Sequence, residues 1–207
     1  VAAFEEQAKA LKEGGVDVIW IETMSSEEEL RAAVEGVSKV GLPIVTTMSF
    51  DTNGRTMMGI TPAAFGKLAN DLKATPVAIG ANCGVGASEL VATVMGISAA
   101  RPDAHVVAKG NCGIPQYKEG HIHYTGTPEL MADYARIALD AGAKIIGGCC
   151  GTSPDHLASM RKALEGHTKG ARPTIELVEE KLGPVSELAK GVDTVADGAS
   201  RRERRRS

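Results

Sequence analysis

The chain has 207 residues, 43% hydrophobic and 24% charged, and its 23 Lys and Arg against 26 Asp and Glu leave a formal net charge of -3. That length can bury the core of one domain, two at most, and so even a charge balance offers no broad positive field for nucleic acid or an anionic membrane surface. No apolar run approaches the roughly 18 to 20 residues of a membrane helix and the first residues do not form a signal peptide, so the expectation is a cytoplasmic protein with a small-molecule partner, compatible with a homo-oligomer.

Residues 1–15 set Phe4, Ala8 and Leu11 at helical spacing, which predicts an opening helix. From residue 16 to about 165 one phrase recurs: a short run rich in Val and Ile, a turn of small or polar residues, then a pattern of helical period. The predicted strands are residues 16–23, 43–50, 76–83, 105–111 and 143–150, each a nearly continuous apolar run, as parallel strands buried on both faces require. Between them, Ser25-x-x-Glu28 reads as a capping box and Ser88-Glu89 as another helix opening. Thr61-Pro62, Thr127-Pro128 and Ser153-Pro154 each pair a capping hydroxyl with a proline at the first helical position. After Pro128, the residues Leu130, Tyr134, Ile137, Ala138 and Ala141 form one apolar stripe. Residues 117–127, with His121-Ile122-His123 beside Lys118 and Glu119, read as a loop that is solvated or shapes a ligand site rather than as a metal-binding pair. Beyond about residue 170 the pattern fades into a polar segment at 174–190 that includes a helix. The Arg-rich end at 201–206 reads as a disordered, solvating tail.

Five βα units in sequence fit a (β/α)8 barrel or an open doubly wound sheet. The chemistry-bearing residues decide between them. Glu22 and Thr23, Ser49 and Asp51, Asn82 and Cys83, Asn111, and Cys149 and Cys150 all fall at the carboxyl ends of predicted strands. Barrels carry their sites on that rim, whereas an open sheet gathers its ligands near one switch point. The predicted fold is therefore an α/β, TIM-type (β/α)8 barrel lacking its first three strands, with residues 1–165 as the barrel domain and 166–207 as a C-terminal extension.

Four cysteines, two of them adjacent, do not make a secreted disulfide framework. Cys83 ends one strand in Gly80-Ala81-Asn82-Cys83-Gly84, and Cys149 and Cys150 end the last in Gly147-Gly148-Cys149-Cys150-Gly151-Thr152. Three thiolates with one position open suit catalytic zinc, and they suit small buried hydrophobes equally well on spacing alone. Adjacent strand residues point to opposite faces, so both members of the vicinal pair reach one metal only if the strand breaks there, which the flanking glycines permit. Cys112 is a fourth candidate, read as a packing cysteine because a fourth thiolate would close the site. A redox role for the vicinal pair leaves Cys83 unexplained.

These two cysteine phrases, together with Phe50-Asp51-Thr52-Asn53-Gly54-Arg55-Thr56-Met57-Met58-Gly59 and Lys109-Gly110-Asn111-Cys112-Gly113-Ile114-Pro115, resemble the homocysteine S-methyltransferases, most closely the bacterial betaine-dependent branch. The resemblance runs from about residue 1 to 165. It implies a (β/α)8 barrel in which Cys83, Cys149 and Cys150 hold Zn2+, the thiol of homocysteine becomes the fourth ligand, and Glu22 binds the substrate ammonium. The candidate substrate-binding residues are Glu22, Thr23 and Asn111, with Asn82 and Asn111 read either as fixing turns or as hydrogen-bonding substrate. The implied product is methionine, with dimethylglycine released from betaine. S-methylmethionine or methylcobalamin as donor, or a noncatalytic zinc-binding fragment, are the alternatives. Trp20, Tyr117 and Tyr124 are the aromatic candidates for holding a quaternary ammonium.

Overall fold

A computed structural model describes residues 1–190, so the Arg-rich tail lies outside the described residues. The chain opens with α1 (Ala2–Glu13), then runs β1 (Ile19–Met24), α2 (Glu27–Ser38), β2 (Ile44–Met48), α3 (Pro62–Leu68), β3 (Ala78–Cys83), α4 (Ala87–Ala100) and β4 (Val106–Gly110). A hairpin of β5 (Pro115–Lys118) and β6 (His121–Tyr124) follows, then α5 (Pro128–Asp140), β7 (Ala143–Gly148), α6 (Pro154–Glu165), α7 (Ile175–Leu182) and α8 (Glu187–Lys190).

Five parallel strands form one sheet in the order β1-β2-β3-β4-β7. Each strand is laid beside its predecessor in the same direction, with no reversal. Because parallel crossovers are right-handed, such an order sends every connecting helix to one face, whereas a doubly wound sheet must reverse. The packing agrees. Ile19, Ile21, Ile44, Met48, Ile79, Ala81, Val106 and Ala108 enter one large core with residues of α2, α4 and α5, such as Leu30, Val91 and Tyr134. The alternate residues Val45, Ala78 and Val107 make a separate small cluster with Trp20 on the other face. The fold is α/β with a singly wound sheet, and β1 and β7 are its edges among the described residues.

The predicted caps hold at Thr61 and Thr127, whose hydroxyls accept from Ala64 N and Leu130 N, and at Ser153. Two expectations shift. The first capping serine is Ser26, accepting from Glu29 N at 3.2 Å, rather than Ser25; the pattern S-x-x-E occurs in both registers, and only the exit of the chain from β1 selects one. Ser88-Glu89 does mark a helix opening, since both lie in the first turn of α4, but the helix starts at Ala87 behind Gly86 and neither residue caps it. Both are buried and face the C-terminal segment: Ser88 Oγ donates to Pro184 O at 2.9 Å and Glu89 Oε1 accepts from Ser186 N at 2.7 Å. Val178, Leu182, Val185 and Ala189 accordingly join the main core.

Residues 117–127 are not simply a loop. Tyr117 pairs with Ile122 and Pro115 with Tyr124 across an antiparallel hairpin closed by Glu119 and Gly120, at φ 50° and 84°. Two positive φ values in succession are the type I′ hairpin turn. Glu in place of the usual Asn or Asp concealed it. No helix among the described residues is long and apolar enough to cross a membrane.

Candidate metal and substrate site

The strand ends do not stop passively. β3 terminates as Cys83 and Gly84 turn to φ 62° and 76°, and β7 ends at Gly148, so that Cys149 and Cys150 lie past the regular pleat. The backbone N–H of Cys149 still donates to Gly110 O at 2.8 Å, while the Cys150 carbonyl accepts from Cys112 N at 2.9 Å. The alternation that would separate the vicinal side chains is thereby broken. Gly151 then takes φ 78°, and a Cβ there would collide with the ring of Tyr124.

The three sulfurs meet as a result. Cys83 Sγ and Cys149 Sγ each lie 3.9 Å from Cys150 Sγ, and all three lie within 4.8 Å of one another. Four ligands at metal–sulfur bonds of about 2.3 Å define a tetrahedron with edges of about 3.8 Å, so the two measured spacings fit zinc with little adjustment. No other cluster of three such ligand residues occurs among the described residues; His121 and His123 are exposed on β6. Burial pushes the Cys83 thiol up to about 11, with the neighbouring Cys149 and Cys150 adding to the rise and a hydrogen bond from Asn111 opposing it. A cation beside the Cys83 sulfur would oppose that rise by favouring its thiolate.

Two asparagines pin these loops. Asn82, fully buried at the end of β3, accepts from Thr23 N at 2.9 Å and donates to Thr23 Oγ1 at 2.7 Å, with its amide nitrogen 4.0 Å from Cys149 Sγ. Thr23 sits at φ 64°, a conformation costly for a β-branched residue, and these two bonds hold it there. Asn111 donates from Nδ2 to Gly84 O at 2.8 Å and accepts from Cys150 N at 3.1 Å through Oδ1. One side chain thus ties the Cys83 loop to the Cys149–Cys150 loop.

Glu22 lies on the face of the sheet away from the helices, ion-paired with Lys109. Lys109 spans that face from β4, its ammonium 5.1 Å from the centroid of Trp20, whose indole N–H donates to Thr47 Oγ1 at 3.4 Å. In the sequence, the one signal for Lys109 is a charge interrupting an otherwise apolar strand. Of the three aromatic candidates, Tyr124 alone lies against the sulfurs: its ring covers Gly151, and burial together with hydrogen bonding to Cys150 raises its phenol. Tyr117 is exposed on the hairpin.

Cys112 stands outside the sulfur triad. Buried, it places Sγ 3.1 Å from His156 Nε2 and 3.3 Å from Gly126 O. The Nδ1 of His156 accepts from Ser153 N at 3.0 Å, which puts the ring proton on Nε2 in the neutral tautomer, facing Cys112. The one signal for His156 in the sequence is its position three after the Ser153 cap, that of a capping box.

A family model described as homocysteine S-methyltransferase matches residues 1–164. Among solved structures the chain is similar to the homocysteine methyltransferase MmuM from Escherichia coli, in an oxidized form, at 22% identity and a TM-score of 0.58. The alignment covers 77% of this chain and 51% of that one, so the chain spans about half the length of that enzyme.

Proposed function

The chain belongs to the homocysteine S-methyltransferase family, and from that premise we propose that it carries the zinc-binding part of an enzyme that methylates the thiol of homocysteine to methionine, with betaine as donor. The observation that carries the proposal is the convergence of Cys83, Cys149 and Cys150 from two strand ends at spacings suited to one tetrahedral ion. In this reading the five strands are an arc of a (β/α)8 barrel, three short of closure, and residues 166–207 form an extension to it. The unreversed strand order and the partial overlap with a longer methyltransferase support that arc.

Three thiolates leave one tetrahedral position for the substrate sulfur. Zinc bound there would hold the homocysteine sulfur as thiolate at neutral pH, which is the form able to act as nucleophile. The protein's own residues supply the rest. Asn111 and Asn82 fix the loops on which the sulfurs ride, and Glu22 receives the substrate ammonium. Thr23 and Asn111 border the substrate where β1 and β4 end. Tyr124 offers an aromatic face beside Cys150, the kind of surface that attracts a quaternary ammonium, and this supports betaine as donor. In the transfer, the sulfur lone pair attacks one N-methyl carbon, the S–C bond forms as the C–N bond breaks, and nitrogen leaves with the electron pair as dimethylglycine.

The test is methionine formation by zinc-loaded protein, alone and fused to the N-terminal strands of a longer family member, from homocysteine with betaine, S-methylmethionine, methylcobalamin or no donor. Betaine-dependent methionine is the expected result. Turnover with another donor alone overturns the choice of betaine, and homocysteine that neither reacts nor binds overturns the methyltransferase reading.

A further inference from the structure

Resting on the proposed binding of homocysteine, we infer that Lys109 binds the α-carboxylate of that amino acid, and that the Lys109–Glu22 ion pair is a preformed stand-in for the zwitterion it receives.

Among the described residues, no helix covers the face of the sheet that carries Trp20. Its residues are mostly small or apolar: Val45, Ala78 and Val107 cluster with Trp20. Into this surface β4 sends one long cation. Lys109 is aligned with Asn82 on β3 and with Gly147 on β7, so the three side-chain positions form a row across the sheet, just below the cysteine-bearing ends. On the Gly147 side the row has no side chain, and a Cβ there would come within 3.7 Å of Lys109 Cγ. No other heavy atom lies within 4 Å of that position, so the lysine stem is not packed against a side chain on that side.

A half-buried lysine on such a surface must be matched by charge or π-electrons. It has both. Glu22 pairs with it from β1, and the face of Trp20 lies 5.1 Å from its ammonium. With side-chain exposures of 26% for Lys109 and 36% for Glu22, the pair is accessible rather than sealed. An α-amino acid carries its ammonium and carboxylate on one carbon, so its opposite charges are adjacent, as those of Glu22 and Lys109 are. Such a zwitterion can be exchanged into the pair without leaving a charge unpartnered: its ammonium takes the place of Lys109 against Glu22, and its carboxylate the place of Glu22 against Lys109. A quaternary ammonium has no N–H to donate to Glu22, so the pair favours the amino acid over the methyl donor.

The test uses the full zinc-loaded chain and compares homocysteine with 3-aminopropanethiol, which keeps thiol and ammonium but lacks the carboxylate. Binding is followed by calorimetry and by emission of Trp20, the single tryptophan of the chain, which Lys109 must leave as it turns to the ligand. Wild-type protein is expected to favour homocysteine by about tenfold to a hundredfold, the range for a charge-assisted hydrogen bond. Lys109→Met brings that ratio close to one, and Lys109→Arg retains most of it. A purely structural lysine would weaken both ligands alike, so an unchanged ratio in Lys109→Met overturns the assignment while leaving the methyltransferase proposal intact. A Lys109→Met effect confined to donor affinity overturns it too. Failure of the wild type to bind either thiol would bring down the functional proposal, and this assignment with it.

Discussion

Replacing Asn111 by alanine should weaken the metal site without touching any of its ligands. The amide joins two loops that carry all three sulfurs, through one bond to the Gly84 carbonyl and one from the Cys150 N–H. A side chain only 3% exposed makes both, so its loss leaves two backbone groups without their partners. Each such group costs about 1–3 kcal/mol when buried. Cys150 is exposed and Gly84 half-buried, so water recovers part, and a net loss of about 2–4 kcal/mol is expected from denaturant unfolding of the metal-free protein. Removing an outer contact of this kind lowers metal affinity by about 10- to 100-fold, read by competition against a chromophoric chelator. Asn111→Asp is the sharper variant, because it keeps an acceptor for Cys150 N–H but turns a carboxylate oxygen toward the Gly84 carbonyl and the sulfurs. Zinc affinity within about twofold of wild type in both variants, with homocysteine binding lost, would refute the pinning role and return Asn111 to direct substrate contact.

Cys83→Ala, Cys149→Ala and Cys150→Ala should each abolish tight zinc binding, whereas Cys112→Ala should retain it at a stability cost of about 1–2 kcal/mol for the lost contacts to His156 and Gly126; full zinc retention in any of the first three refutes the ligand set. Gly151→Ala drives a Cβ into the Tyr124 ring at a positive φ, so unfolding free energy should fall by about 1–3 kcal/mol, and a wild-type denaturation curve would mean the loop rearranges freely. Ending the chain after Gly183 removes the buried Val185 and Ala189 and strips Ser88 and Glu89 of their partners. That loss of about 3 kcal/mol should lower Tm by about 6–12 °C, and an unchanged Tm would show that the residues after Gly183 are dispensable to the fold.

Much of the scaffold is legible one segment at a time. The apolar runs that predict β1 to β4 and β7 work because each strand turns apolar side chains onto the helix-covered face and keeps mostly small or apolar residues on the other, and the Thr-Pro and Ser-Pro caps work because the first N–H groups of a helix need acceptors nearby. The cysteines could be placed at strand ends for the same reason: they are where each apolar run gives out into glycine. The hairpin at residues 115–124 escaped because its turn, Glu119-Gly120, lacks the usual residue at the first position although its backbone is of type I′. Ser25 and Ser26 show the same limit on a smaller scale, with two equivalent patterns and one tertiary choice.

The sequence by itself determined the alternation of strands and helices, and the chemistry at the strand ends. Only the tertiary structure decided which of those groups meet. Cys83 reaches Cys150 across 67 residues, Asn82 reaches Thr23 across 59, and Lys109 reaches Glu22 across 87. Periodicity and capping are short-range properties of the backbone, readable within one or two turns of chain. These pairings depend instead on the order and register in which five strands are laid side by side, and a shift of one residue in any of them would turn its side chains to the other face.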